Sequence, residues 1–81
     1  MIELLTLKEA SKHVDAICDL IIADYTYNIE QKMRLFDILS NDLTCWVNTG
    51  TIDSKWVEPL VTLIENRKHK FMEIVRMVNE L

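Results

Sequence analysis

A single glycine, Gly50, stands in a chain of 81 residues, and this scarcity constrains the fold more than any motif does. Glycine supplies the positive φ angles of hairpin turns, phosphate-cradling loops and dinucleotide fingerprints. Without it, P-loop, Rossmann and many-stranded β folds are excluded, and the sequence predicts an all-α protein. One proline and the absence of any repeat, low-complexity run or linker point to one small domain over residues 1–81.

Helix boundaries are written into the capping residues. Thr6-Leu7-Lys8-Glu9 has the form of a capping box, so a first helix is expected to start there. Leu7, Ala10, Val14, Ile17 and Ile21 then recur at helical spacing, with Cys18, Ile22 and Tyr25 widening the stripe. Lys8, Lys12, Asp15 and Asp19 fall on a solvated flank. Tyr25-Thr26-Tyr27-Asn28 breaks the pattern, and Asn28 with Gln31 forms a second cap. Ile29, Met33, Phe36, Leu39, Leu43 and Val47 continue as a second stripe, flanked by Leu35 and Trp46, with Glu30 and Arg34 paired one turn apart on the opposite side.

Gly50 suits the left-handed position that ends this helix, and Thr51, Asp53 and Ser54 offer the next caps. Pro59 fits the first turn of a third helix of about 20 residues, roughly 30 Å long. Its apolar arc comprises Leu60, Leu63, Ile64, Phe71, Ile74, Val75, Val78 and Leu81. The expected architecture is a three-helix antiparallel bundle, or a helical hairpin plus a long C-terminal helix. Because so small a chain buries only about 60% of its unfolded surface, its large apolar side chains predict completion by dimerisation or by a larger partner.

Five residues stand out as protein-interface candidates: Arg67, Lys70, Trp46, Trp56 and Tyr27. Arg67 falls in the middle of the third apolar arc, where it must snorkel, reach an edge acid such as Asp24, or meet a carboxylate from another chain. Arg67-Lys68-His69-Lys70 is the densest basic run, and a helix splays it around its axis. Trp46 and Trp56 bracket Gly50, either packed together as the lid of the core or acting as hydrophobic anchors at an interface. Of the two tyrosines, Tyr27 is expected to be the more exposed.

Charge and cysteine usage narrow the function classes. With 13 acids against 9 bases, the net charge of −4 disfavours nonspecific binding to nucleic acid or anionic membrane. Nine acids and four bases in residues 1–53 leave −5 there, and four acids and five bases in the remainder leave +1. No apolar run approaches the roughly 20 residues needed to span a bilayer, and Met1-Ile2-Glu3 lacks a basic leader, which predicts a cytoplasmic protein. Cys18 and Cys45 read as reduced core residues. His13, His69 and the cysteines lack zinc-ligand spacing, so no metal or cofactor is expected.

The reading that follows is an acidic helical interaction module, not an enzyme. It would inhibit or regulate a larger protein in the manner of immunity proteins, antitoxin-like regulators or phage-encoded modulators, as a homodimer or bound to its partner. Leu4-Leu5-Thr6-Leu7-Lys8-Glu9-Ala10 resembles the opening of excisionase and MerR-type winged helices, which implies helix-turn-helix DNA binding as an alternative. Val14-Asp15-Ala16-Ile17-Cys18 departs from that pattern, continuing the helix where those families turn at a glycine. A further alternative, by analogy with the architecture of the all-helical chorismate mutases, is a dimeric enzyme that clamps a carboxylate substrate with Arg34, Arg67 and Lys70.

Overall fold

Each helix starts where its cap satisfies the first free backbone donors. The computed structural model of the protein describes residues 4–80. Helix α1 spans Leu7–Ala23, and Thr6 and Glu9 close a reciprocal capping box of 3.1 and 3.2 Å. Helix α2 spans Ile29–Asn48 behind an equivalent box between Asn28 and Gln31, at 2.9 and 2.8 Å. Between them, the Asp24 carboxylate accepts from both the backbone N–H and the hydroxyl of Thr26. This side chain-to-backbone bond fixes the reversal without a glycine.

Helix α2 ends in a paired C-terminal motif. The N–H of Gly50 donates to the Val47 carbonyl at 3.1 Å and that of Thr51 to the Trp46 carbonyl at 2.8 Å, with Gly50 at φ +76°. Two carbonyls that the helix leaves free are thereby satisfied. A Cβ at Gly50 would meet nothing within 4 Å. Gly50→Ala is therefore expected to cost only the left-handed backbone penalty, about 1–2 kcal/mol, with the helical circular dichroism of the native state unchanged. A larger loss in urea titration would mean that the corner has another constraint.

Asp53 caps a one-turn 3-10 helix, Ser54–Trp56, which runs directly into helix α3, Val57–Glu80. Pro59 is the third residue of α3, where the missing N–H would have had no intrahelical acceptor. At 24 residues, or about 36 Å, α3 is longer than the sequence pattern suggested and passes through Arg67–Lys70 without a break. The fold is all-helical, and among the described residues the only β-type contact is a single parallel bridge between Leu5 and Ile52, with the Leu5 N–H on the Thr51 carbonyl at 2.9 Å. It ties the start of the chain to the α2–α3 corner.

The core draws from all three α-helices and the corner: Ala10, Val14, Cys18 and Ile21 of α1, Phe36, Leu39 and Leu43 of α2, Ile52 of the corner, and Leu60, Ile64 and Phe71 of α3. Phe36 and Phe71 tilt against each other with ring centroids 6.0 Å apart. Lys32 reaches over the end of α1, its Nζ 2.6 Å from the Ile22 carbonyl. A cation at the carbonyl end of a helix is favoured by the aligned peptide dipoles.

Several expectations are corrected. Tyr25 lies beyond the end of α1 and is 94% exposed against 42% for Tyr27, so Tyr25 is the more exposed of the pair. The chain turns away before the next α1 stripe position is reached. Ile29 is exposed at the first position of α2, where the stripe has no neighbour opposite. Cys45 is exposed, on the side of α2 away from the core, whereas Cys18 is buried. Ile74 and Val78 keep the spacing of the α3 arc yet are exposed, and Leu81 lies outside the described residues.

That exposure follows from lengths. Ile22, at the end of α1, lines the same recess as Ile74, so the turns of α3 that follow have no hairpin helix opposite, and Arg76–Asn79 are exposed all round. The radius of gyration, 13.9 Å, exceeds the roughly 12 Å of a globule of this length, and the longest dimension is 52 Å.

Candidate interaction surface

Three features crowd the surface of the bundle: a charged waist, a recess at the α2–α3 corner and an apolar far end. The waist comes from the basic run. Because adjacent residues on a helix point about 100° apart, Arg67 and Lys68 reach opposite neighbours. Arg67 Nη2 donates to Asp19 Oδ1 of α1, and Lys68 Nζ donates to Asp37 Oδ1 of α2 at 2.8 Å. The carboxylate that meets Arg67 is thus Asp19, from the flank read as solvated, and not Asp24, which is occupied with Thr26.

Both pairs straddle the edge of the core. The basic side chains are the more covered, 29% and 23% exposed, while Asp19 and Asp37 stand 68% and 58% exposed. Arg67 lies beside Ile22, Phe71 and Ile74, and both charged heads surface to a carboxylate. The hydrogen bond that Lys68 donates to the Asp37 carboxylate raises the Lys68 pKa. Pairs this open to solvent contribute at most about 1 kcal/mol each, so they mark the register of α3 on the hairpin, which the buried residues Leu60, Ile64 and Phe71 hold.

The remaining candidates divide between the two ends. Trp46 lines a recess of about 220 Å³ at the corner with Leu5, His13, Ile17 and Thr51. Trp56 is half-buried against the core, and the Lys55 ammonium lies 4.8 Å from the centre of its ring. The two indoles do not stack: among the described residues the ring pair is Phe36–Phe71. Lys70 and Arg67 share a recess of about 210 Å³ with Ile22, Phe71 and Ile74. Tyr27 lies in the α1–α2 turn, two residues before α2.

Beyond that recess lies the part that sequence reasoning missed. Leu20, Tyr25, Ile74, Met77 and Val78 are all exposed large apolar side chains around the α1–α2 turn and the last turns of α3. Residues 74, 77 and 78 have the spacing by which one helix face engages a partner. The helical period was visible in the sequence, but where α1 stopped relative to α3 was not.

The chemistry of the surface is sparse. Thr6 lowers the Glu9 pKa, and Thr26 that of Asp24, by hydrogen bonds to the carboxylates. Burial pushes the Cys18 thiol up to about 11. An unfolded thiol ionises near 8.5, so the native state holds a proton that the unfolded state has lost. Stability is then expected to fall as pH rises from about 9 towards 11. A Cys18→Ala variant should lack that slope in denaturant titrations at pH 8, 9 and 10. At neutral pH, iodoacetamide should label Cys45 in minutes while Cys18 waits for unfolding, as read by mass spectrometry.

Among the described residues, no three His, Cys, Asp or Glu side chains gather as a metal site, and no helix is long and apolar enough to cross a membrane. Ser40 Oγ is buried without a hydrogen-bond partner. No family model, curated protein or solved structure matches the chain.

Proposed function

We propose that the protein is an interaction module, an inhibitor or regulator that acts by occupying the surface of a larger protein and not by catalysis. The observation that carries this reading is the apolar end, where Ile74, Met77 and Val78 are 53%, 65% and 63% exposed. Isolated exposed leucines are ordinary, whereas a contiguous patch of large apolar side chains marks a site of association.

The inferred frame is an antiparallel three-helix bundle. Along α3 from Arg67 to Ile74 the α1 neighbour advances from Asp19 to Ile22, while from Lys68 to Phe71 the α2 neighbour retreats from Asp37 to Lys32. This arrangement directs the α1–α2 turn and the end of α3 to the same pole. The alternatives draw less support. Arg67 is engaged by Asp19 and Arg34 by Glu30, at 3.2 Å, which leaves Lys70 alone of the three proposed clamp residues. An acidic chain in which Arg67 and Lys68 of the basic run already meet its own carboxylates is a poor match for DNA phosphates.

The test is affinity capture from the native host with the full chain and with Met77→Asp. A protein retained by the parent and lost by the variant is the expected result. Met77 is exposed, so the variant should keep its fold. Equal retention by both, or none by either, would overturn the assignment of this end as the binding surface.

A further inference from the structure

Resting on the reading of the apolar end as a docking surface, we infer that its occupant is a second copy of this chain, paired pole to pole about a two-fold axis. In that pair, the last turns of each α3 cover the α1–α2 turn of the other copy. The first argument is self-complementarity. The exposed face of α3 at Ile74 and Val78 continues the stripe whose earlier members, Leu60, Ile64 and Phe71, are buried in the core. What covers that stripe higher up is the chain's own α1–α2 hairpin. A second hairpin end, carrying Leu20 and Tyr25, offers the same kind of surface, and a two-fold axis satisfies both halves at once.

The second argument is charge. The chain as a whole carries −4, which opposes association between copies. Around the apolar pole, however, the sequence places Asp24, Glu30, Glu73 and Glu80 among Lys32, Arg34, Lys70 and Arg76, four acids and four bases. A near-neutral rim of mixed sign meets its own copy without the repulsion that the rest of the surface would impose.

The third argument is area. An exposed aromatic side chain offers about 150–250 Å² and an aliphatic one on the order of 100 Å². Leu20, Tyr25, Ile74, Met77 and Val78 at their observed exposures therefore present on the order of 500 Å² per copy. Reciprocal burial brings the total to about 1,000 Å², the lower edge of a specific interface. The geometry thus points to a reversible dimer, one that a larger protein using the same pole would displace.

Sedimentation equilibrium of the full chain, from micromolar to millimolar concentration, should move from 9.5 kDa towards twice that mass. Small-angle scattering of the dimer should give a maximum dimension near 90 Å, two lengths of 52 Å less an overlap of about 10 Å for six to seven helical residues. Tyr25→Asp and Met77→Asp, one on each side of the proposed contact, should each weaken the dimer at least tenfold with unchanged circular dichroism. A 9.5 kDa species at every concentration would overturn self-pairing and leave the interaction reading to the capture experiment. A dimer about as long as the monomer, or one indifferent to Tyr25→Asp, would overturn the pole-to-pole geometry.

Discussion

Phe36→Ala is expected to destabilise the protein by about 3–5 kcal/mol, the range for truncating a buried aromatic side chain. Phe36 is fully buried, and its ring joins α2 to α3 through Phe71. Total stability for a domain of this length is on the order of 4–12 kcal/mol, so this single change removes a large share of it. Phe71→Ala should cost nearly as much, since Phe71 is 8% exposed and loses the same ring contact. The two losses should not add. Their shared contact should leave a coupling of about 0.5–1.5 kcal/mol in a double-mutant cycle. Urea titrations read by circular dichroism measure all three variants, and full additivity would show that the rings do not act as a pair.

The contrast between Phe36 and the end of α3 shows how far the sequence could be read. Thr6, Asn28, Gly50 and Asp53 act through bonds to residues two to four positions away, so their roles as helix boundaries were visible in the linear pattern. The membership of Phe36, Leu43, Leu60 and Ile64 in the core followed from the helical period in the same way. What the period leaves open is the relative height of the helices. Asp19 sits 48 positions from Arg67, and only packing brings them together. The exposure of Ile74 and Val78 depends on where α1 ends beside α3, a comparison of two helices that neither stripe contains. Cys45 illustrates the opposite bias: cysteine is usually buried, but its place on α2 turns it away from the core.

Charge at the waist and apolar surface at the pole are therefore parts of one arrangement. Asp19 and Asp37 meet Arg67 and Lys68 at the height at which Leu60, Ile64 and Phe71 pack α3 on the hairpin, and that height determines how much of α3 projects past Ile22. Reversing one partner of a pair, as in Arg67→Glu, sets two carboxylates together. Because Arg67 also lines the recess with Ile22 and Ile74, the change reaches the pole by contact as well as by charge.

Leu43→Asp is expected to have the largest effect of all at neutral pH. Leu43 is fully buried in α2, in the core cluster with Phe36 and Leu39 and one turn before Trp46 and Val47. An unpaired carboxylate there costs several kcal/mol, in addition to the lost packing of the leucine, about 2–5 kcal/mol. Together these match the whole stability of a small domain, so the variant should be mostly unfolded at pH 7. The introduced carboxyl would have a folded pKa above its unfolded value near 3.9, because burial disfavours the ionised form. Its destabilisation therefore grows as pH rises from 3.9 towards the folded pKa and is lost as pH falls back to 3.9. The parent protein has the reverse dependence at Glu9 and Asp24, whose lowered pKa values supply stability above their unfolded values that is lost on acidification. The gap between parent and variant should accordingly narrow between pH 6 and pH 4, measured by urea titration with a Leu43→Asn control that carries no titrating group. A gap independent of pH in both variants would mean that the position is reached by water and is not a sealed part of the core.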